Sequence, residues 1–140
     1  MTPEKSCGAV VFTREDGDIK YVIVESKTGC FGFPKGHTEK GEFEVETALR
    51  EIFEETGLEV KLIDGFRKET SYTFEFNGRK VLKNVVYFLA EYSGGMLKAQ
   101  ENELNGVYLM EYDKAISVLQ FDDIKKTLNE ARKFINTNIL

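Results

Sequence analysis

Residues 36–58 read GHTEKGEFEVETALREIFEETGL, and this stretch decides how the rest of the chain is read. The spacing predicts a helix from Glu42 to Thr56. Val45, Ala48, Leu49 and Ile52 recur at i, i+3, i+4 and i+7, the pattern of one buried stripe. Gly57 follows, where a helix ends best on a residue able to take positive φ. At about 100° per residue, Glu44, Glu51 and Glu55 fall in one sector beside the apolar stripe, with Glu54 at its edge. Like charges three or four residues apart cost roughly 0.2–0.5 kcal/mol per pair. Glu54 has Arg50 one turn back, but Glu55 lies between Glu51 and Glu59, and no Lys or Arg on the helix is expected to neutralise the Glu51–Glu55 pair. A Glu-rich helix is ordinarily just a solvated face. Here the carboxylates border the core, and hard oxygen ligands at this spacing suit Mg²⁺ or Mn²⁺, which would turn repulsion into coordination.

Outward from this helix the pattern is mixed. Cys7 to Thr13 and Ile19 to Glu25 read as strands joined by a turn over residues 14–18. Phe31 to His37 reads as a loop or strand end, because Pro34, Gly32 and Gly36 interrupt it. Glu59 to Phe66 and Tyr72 to Phe76 read as two strands. Asn77-Gly78 signals a hairpin before a strand over Lys80 to Tyr92. A short strand at Val107 to Met110 precedes a helical turn near Tyr112 to Leu119. A last helix follows from about Phe121 to Ile135, with Ile124, Leu128, Ala131 and Phe134 or Ile135 inward. The class is α/β (α+β), a sheet covered on both sides by helices.

A chain of 140 residues fits one domain spanning 1–140. No apolar run approaches the roughly 20 residues of a membrane span, and the polar residues 1–5 lead straight into a strand, so neither a membrane partner nor a secretory signal is expected. Cys7 and Cys30 are too few for a disulfide framework, which fits reduced thiols in a cytoplasmic protein. The net charge of −5 argues against a stable nucleic-acid complex. Any phosphate substrate must therefore meet local positive charge or a metal ion. The oligomeric state is not legible.

Residues 36–58 resemble the Nudix box: Gly, five residues, Glu, seven residues, Arg-Glu, an aliphatic, any residue, Glu-Glu, any residue, Gly, an aliphatic. Gly36, Glu42, Arg50, Glu51, Ile52, Glu54, Glu55, Gly57 and Leu58 fill every fixed position. From average residue usage, a chance match is on the order of 10⁻⁷. The resemblance implies a Nudix-type α/β/α sandwich with a mixed central sheet, and a magnesium-dependent pyrophosphohydrolase. It implies Glu51, Glu54, Glu55 and the carbonyl of Gly36 as metal ligands, Glu42 as support for the metal shell, Arg50 as the holder of the catalytic carboxylates, and a structural Gly57. A further Glu from a loop before a late strand completes the family's set; Glu103 is the candidate and Glu101 the second. Glu51 or Glu103 would take the proton of the attacking water. His37, the single histidine, would contact phosphate, shape its loop or act in catalysis.

Outside the box, residues 6–12, 34–37, 65–69 and 83–91 are similar to asymmetric diadenosine tetraphosphate hydrolases. That similarity implies a nucleotide or dinucleoside polyphosphate substrate, cut to ATP and AMP. Alternation places Lys83 and Tyr87 on one strand face, a lysine for polyphosphate and a plate for a purine, with Phe121 on the other side of the base. Core packing is the competing reading for Tyr87 and Phe121. Lys35, Lys80 and Tyr72 are further candidates for phosphate contact. Animal members often carry a Glu-His pair and a Trp near the late strand, where this chain has Glu103-Leu104 and Leu109. Alternatives are hydrolysis of diphosphoinositol polyphosphates, (d)NTPs or capped or triphosphorylated RNA, the first suited by Arg67, Lys68, Arg79, Lys80 and Lys83. A non-catalytic nucleotide-sensing module is the remaining reading.

Overall fold

Ala9, Val10, Val11 and Phe12 are all fully buried, so the first strand is covered on both faces and lies inside a layered structure. The computed structural model describes residues 2–100 and 103–140. The strands are β1 (Thr2–Glu15), β2 (Asp18–Ser26), β3 (Phe31–Gly32), β4 (Lys35–His37), β5 (Leu58–Phe76), β6 (Arg79–Gly95) and β7 (Leu104–Met110). The helices are α1 (Glu44–Thr56), α2 (Tyr112–Val118) and α3 (Asp122–Asn138). The sheet runs β3-β2-β1-β6-β5, with β4 on β1 and β7 on β2. β1 and β6 are parallel and the other pairs antiparallel, so the sheet is mixed, as expected.

Alternation along the strands sorts the core into two layers. Val10, Phe12, Tyr21, Ile23, Tyr87 and Leu89 face Leu119, Leu128, Ala131 and Ile135 under α2 and α3. On the opposite face Ala9, Val11, Val22 and Ala90 meet Ile52, while Cys7 and Val86 meet Ala48 of α1. This is the α/β/α sandwich. Among the described residues no helix is long and apolar enough to cross a membrane.

Several local expectations shift. The first hairpin closes on two residues, Asp16 and Gly17, with φ of 51° and 85°, and Glu15 opposite Asp18. Both angles are positive, as the right-handed strand twist demands of so short a turn. The segment 31–37, expected as a loop or a strand end, holds two short strands, because pairing with β2 and β1 satisfies its backbone. The strands expected at 59–66 and 72–76 are one strand, β5, whose register against β6 shifts between Leu62 and Arg67. Gly65 (φ 98°) lies in that shift.

Helix α1 departs most. It begins at Glu44, with the Glu46 carboxylate accepting the Phe43 N–H at 2.9 Å. Its buried residues are Thr47, Ala48, Ile52, Glu55 and Thr56, whereas Val45 and Leu49 are each 38% exposed. The helix is rolled from the expected phase. Periodicity sets the angle between residues, and Ala48 and Ile52 belong to either stripe. Polar residues can be buried here because each has a partner: the Thr56 hydroxyl donates to the Ile52 carbonyl at 2.6 Å and Glu55 accepts the Lys35 N–H at 3.1 Å.

Candidate active site

The site is built where β4 lies against α1. A Cβ at Gly36 would stand 2.0 Å from Glu51 Cδ, so any larger residue would displace this carboxylate from its place beside Arg50. Arg50 clamps the same crossing. Its Nη2 donates to the His37 carbonyl at 3.0 Å, its Nε to Glu42 at 2.7 Å, and its Nη1 to Glu51 at 2.8 Å and Glu54 at 3.2 Å. The expectation that no basic residue neutralises the Glu51 side of the pair is corrected: adjacent residues on a helix diverge by about 100°, but the long guanidinium bends back over its neighbour. Glu42 also takes the Glu39 N–H and the Thr47 hydroxyl, and Arg50, chiefly, holds its pKa at about 2.

Glu44 is the second correction. It leaves the acidic sector to pair with Lys5 and with Arg67, at 2.9 Å from the latter. Glu51 and Glu55 remain together. Burial is the main cause that raises both, carrying Glu55 to about 7, and each is raised further by Glu103. Arg50 opposes the rise at Glu51; the Lys35 N–H and ammonium oppose it at Glu55. Glu54 is exposed and turned toward Arg50. Glu101 lies outside the described residues.

A cavity of about 630 Å³ opens beside these groups, lined by Lys35, Glu55 and Glu103 together with Tyr72, Tyr87 and Phe121. Its size suits a nucleotide. Tyr87 is buried, edge-on to Phe33 with centroids 5.4 Å apart, so it is a core residue that also floors the cavity. Phe121 is 59% and Tyr72 45% exposed, and neither is core. Lys83 is buried and its Nζ lies 3.2 Å from His37 Nε2, which is itself 3.2 Å from Glu4. Burial, then Lys35, lowers the Lys83 pKa; burial likewise lowers that of Lys35. Lys80 sits opposite Glu75 near the Asn77-Gly78 turn and does not line the cavity. Thr70 and Asp123 line it and were not anticipated. Thr70 shares the Tyr72 face of β5 by alternation, a signal available in the sequence; Asp123 had none beyond its closeness to Phe121.

The carboxylates present hard oxygens that repel one another, the donor set that suits a divalent cation. Among the described residues no three such side chains yet converge on one point. Glu51 is engaged by Arg50, and Glu55 by the Lys35 amide.

A family model described as NUDIX domain matches residues 3–135. The chain is 32% identical to rat bis(5′-nucleosyl)-tetraphosphatase [asymmetrical], covering 94% of this chain and 95% of that one. An Ap4A hydrolase structure from C. elegans, titled a binary complex, superposes with a TM-score of 0.85 at 22% identity, over 96% of this chain and 98% of that one. The NUDIX domain of Shewanella oneidensis NrtR, complexed with ADP ribose, superposes at 0.74 with 17% identity, over 96% and 90%. These two structures share the fold.

Proposed function

The chain belongs to the Nudix family and is a Nudix pyrophosphohydrolase, and from this premise we propose that it is one domain that hydrolyses bis(5′-nucleosyl) tetraphosphates asymmetrically, Ap4A to ATP and AMP, with Mg²⁺. One observation carries the reading: a single cavity, floored by Tyr87, holds Glu55, Glu103 and Lys35 together with the exposed aromatic rings of Tyr72 and Phe121. Acidic groups for a cation, a lysine for phosphate and plates for a base are the parts that a nucleotide anhydride requires. The identity to the rat enzyme over nearly both full chains supports the same substrate.

Glu51, Glu54, Glu55, Glu103 and the Gly36 carbonyl would hold the metal. When bound, Mg²⁺ neutralises charge on the phosphates and acidifies a water. The chain's own residues do the rest. Arg50 fixes Glu51 and ties the helix to the β4 carbonyl at His37. Lys35 and Lys83, with His37 beside it, supply the positive charge an acidic protein needs for polyphosphate. Glu51 or Glu103 accepts the proton of the water that attacks phosphorus. Tyr72 and Phe121 pack the base and set its distance from the carboxylates. The diphosphoinositol reading is weaker because Arg67 is paired with Glu44 and Glu69, and Lys68 with Glu130.

Hydrolysis of Ap4A in ¹⁸O-water with Mg²⁺, beside diphosphoinositol phosphate, triphosphorylated RNA and dNTPs, tests the proposal. The expected products are ATP and AMP, the label marking the phosphorus attacked. ADP as the sole product, or Ap4A among the poorest substrates, would overturn it.

A further inference from the structure

One wall of the cavity is the first turn of α3. Phe121 is the residue just before the helix and stands exposed, and Asp123 and Ile124 line the same cavity. Asp123 Oδ1 accepts the Ile124 N–H at 3.0 Å, which tethers the carboxylate at the helix start, while the Asp123 backbone carbonyl accepts the Thr127 hydroxyl at 2.8 Å. No ion pair among the described residues involves Asp123. Its charge is felt by both Tyr72 and Tyr87, whose phenols are raised first by burial.

A helix N-terminus is ordinarily a seat for phosphate. Asp122 and Asp123 occupy the first turn of this one with negative charge, which opposes an anion there. The place suits an uncharged ring that carries N–H donors. Tyr72 on β5 and Phe121 before α3 offer exposed aromatic surface for such a ring in the same cavity.

We propose that Asp123 reads the Watson–Crick edge of the base held in this cavity and makes the enzyme favour guanine nucleotides. The inference rests on the nucleotide reading given above and adds a base preference to it. An ionised carboxylate only accepts, through about four lone-pair positions, so the tether to Ile124 leaves acceptors free. Guanine presents adjacent N1–H and N2–H donors that match two carboxylate oxygens, a charge-assisted bidentate pair. Adenine presents one amino donor beside an acceptor nitrogen, which faces the second oxygen unfavourably. Uracil presents one N–H flanked by two carbonyls, the poorest match.

Asp123→Asn separates base reading from structure. The amide keeps the shape and can still serve the helix start, but it offers one donor and one acceptor, the pair adenine matches. Calorimetric Kd values for GTP, ATP and UTP, and KM values for Gp4G and Ap4A, would be compared in the two proteins. The wild type is expected to prefer guanine by about five- to tenfold, the low end of what a bidentate base contact supplies. In the variant the order inverts toward adenine with an unchanged melting temperature. The same guanine-to-adenine ratio in both proteins overturns the proposal. Inversion of the Kd order without tetraphosphate hydrolysis would remove the substrate reading and keep the base contact; hydrolysis with an unaltered ratio would do the reverse.

Discussion

Glu44 and Glu55 sit on one helix and, by angle alone, in one sector, yet their surroundings are opposite. Glu44 is tied first to Arg67 and then to Lys5, and its carboxyl is held at about 2. Glu55 is buried with Glu51 and Glu103 nearby, and burial lifts it to about 7. The first carboxylate fastens the start of α1 to β1 and β5. The second is kept under-compensated, the condition in which an added cation gains most. A helix angle says which side chains point the same way, and the strands that arrive beside each end decide what that direction means.

Removing the under-compensated end should be the more damaging. On the proposed metal reading, Glu55→Gln is expected to lower turnover by at least about 10²-fold, since loss of a ligand costs more than the 10–100-fold typical of supporting groups. Its melting temperature should hold. Full turnover in that variant would remove the contrast between the two ends. Arg50→Lys keeps a positive charge but loses the fork that spans Glu42, Glu51 and the His37 carbonyl. A fall in activity of about 10-fold is expected, with KM less affected than kcat; a purely structural Arg50 would leave kcat intact in the surviving folded fraction.

Gly36→Ala sharpens the comparison by pushing the Glu51 carboxylate out of its place against β4. Overpacking of this kind costs about 1–3 kcal/mol, measured by urea denaturation, with activity lost beyond the unfolded fraction. An unchanged denaturation midpoint would show that the crossing has slack. Glu44→Gln should do least. The folded pKa of Glu44 lies below its ordinary 4.5, so its contribution is complete above about pH 4.5 and disappears as pH falls through about 2. The variant should be slightly less stable than wild type at pH 6, by less than about 1 kcal/mol for so exposed a pair, and equal to it near pH 2. Its kcat should match wild type throughout; a turnover defect would put Glu44 back among the site carboxylates.

Much of the fold was legible because it rests on short-range rules. Asn77-Gly78 turns the β5–β6 hairpin with φ of 51° and 75°, and Gly57 ends α1 at φ 74°. Leu128, Ala131 and Ile135 lie inward on α3 as their spacing indicates. What was misread depends on phase or on distant partners. Val45 and Leu49 keep helical spacing yet sit on the outer side. Glu44 finds Arg67, 23 positions away. Lys80 lies three residues before Lys83 on β6, opposite Glu75 near the hairpin end, and neither lysine lines the cavity.

The amino-acid order alone therefore determined the family, most of the strands and helices, the Asn77-Gly78 turn and the Gly57 helix end, because backbone geometry and residue spacing act over a few positions. Tertiary structure alone decided which carboxylates are buried and raised, that Gly36 lies against the Glu51 carboxylate, and that Lys35, Tyr72, Glu103, Phe121 and Asp123 share one cavity. Desolvation and Coulomb energy depend on distance in space, and folding brings together groups that the chain holds far apart.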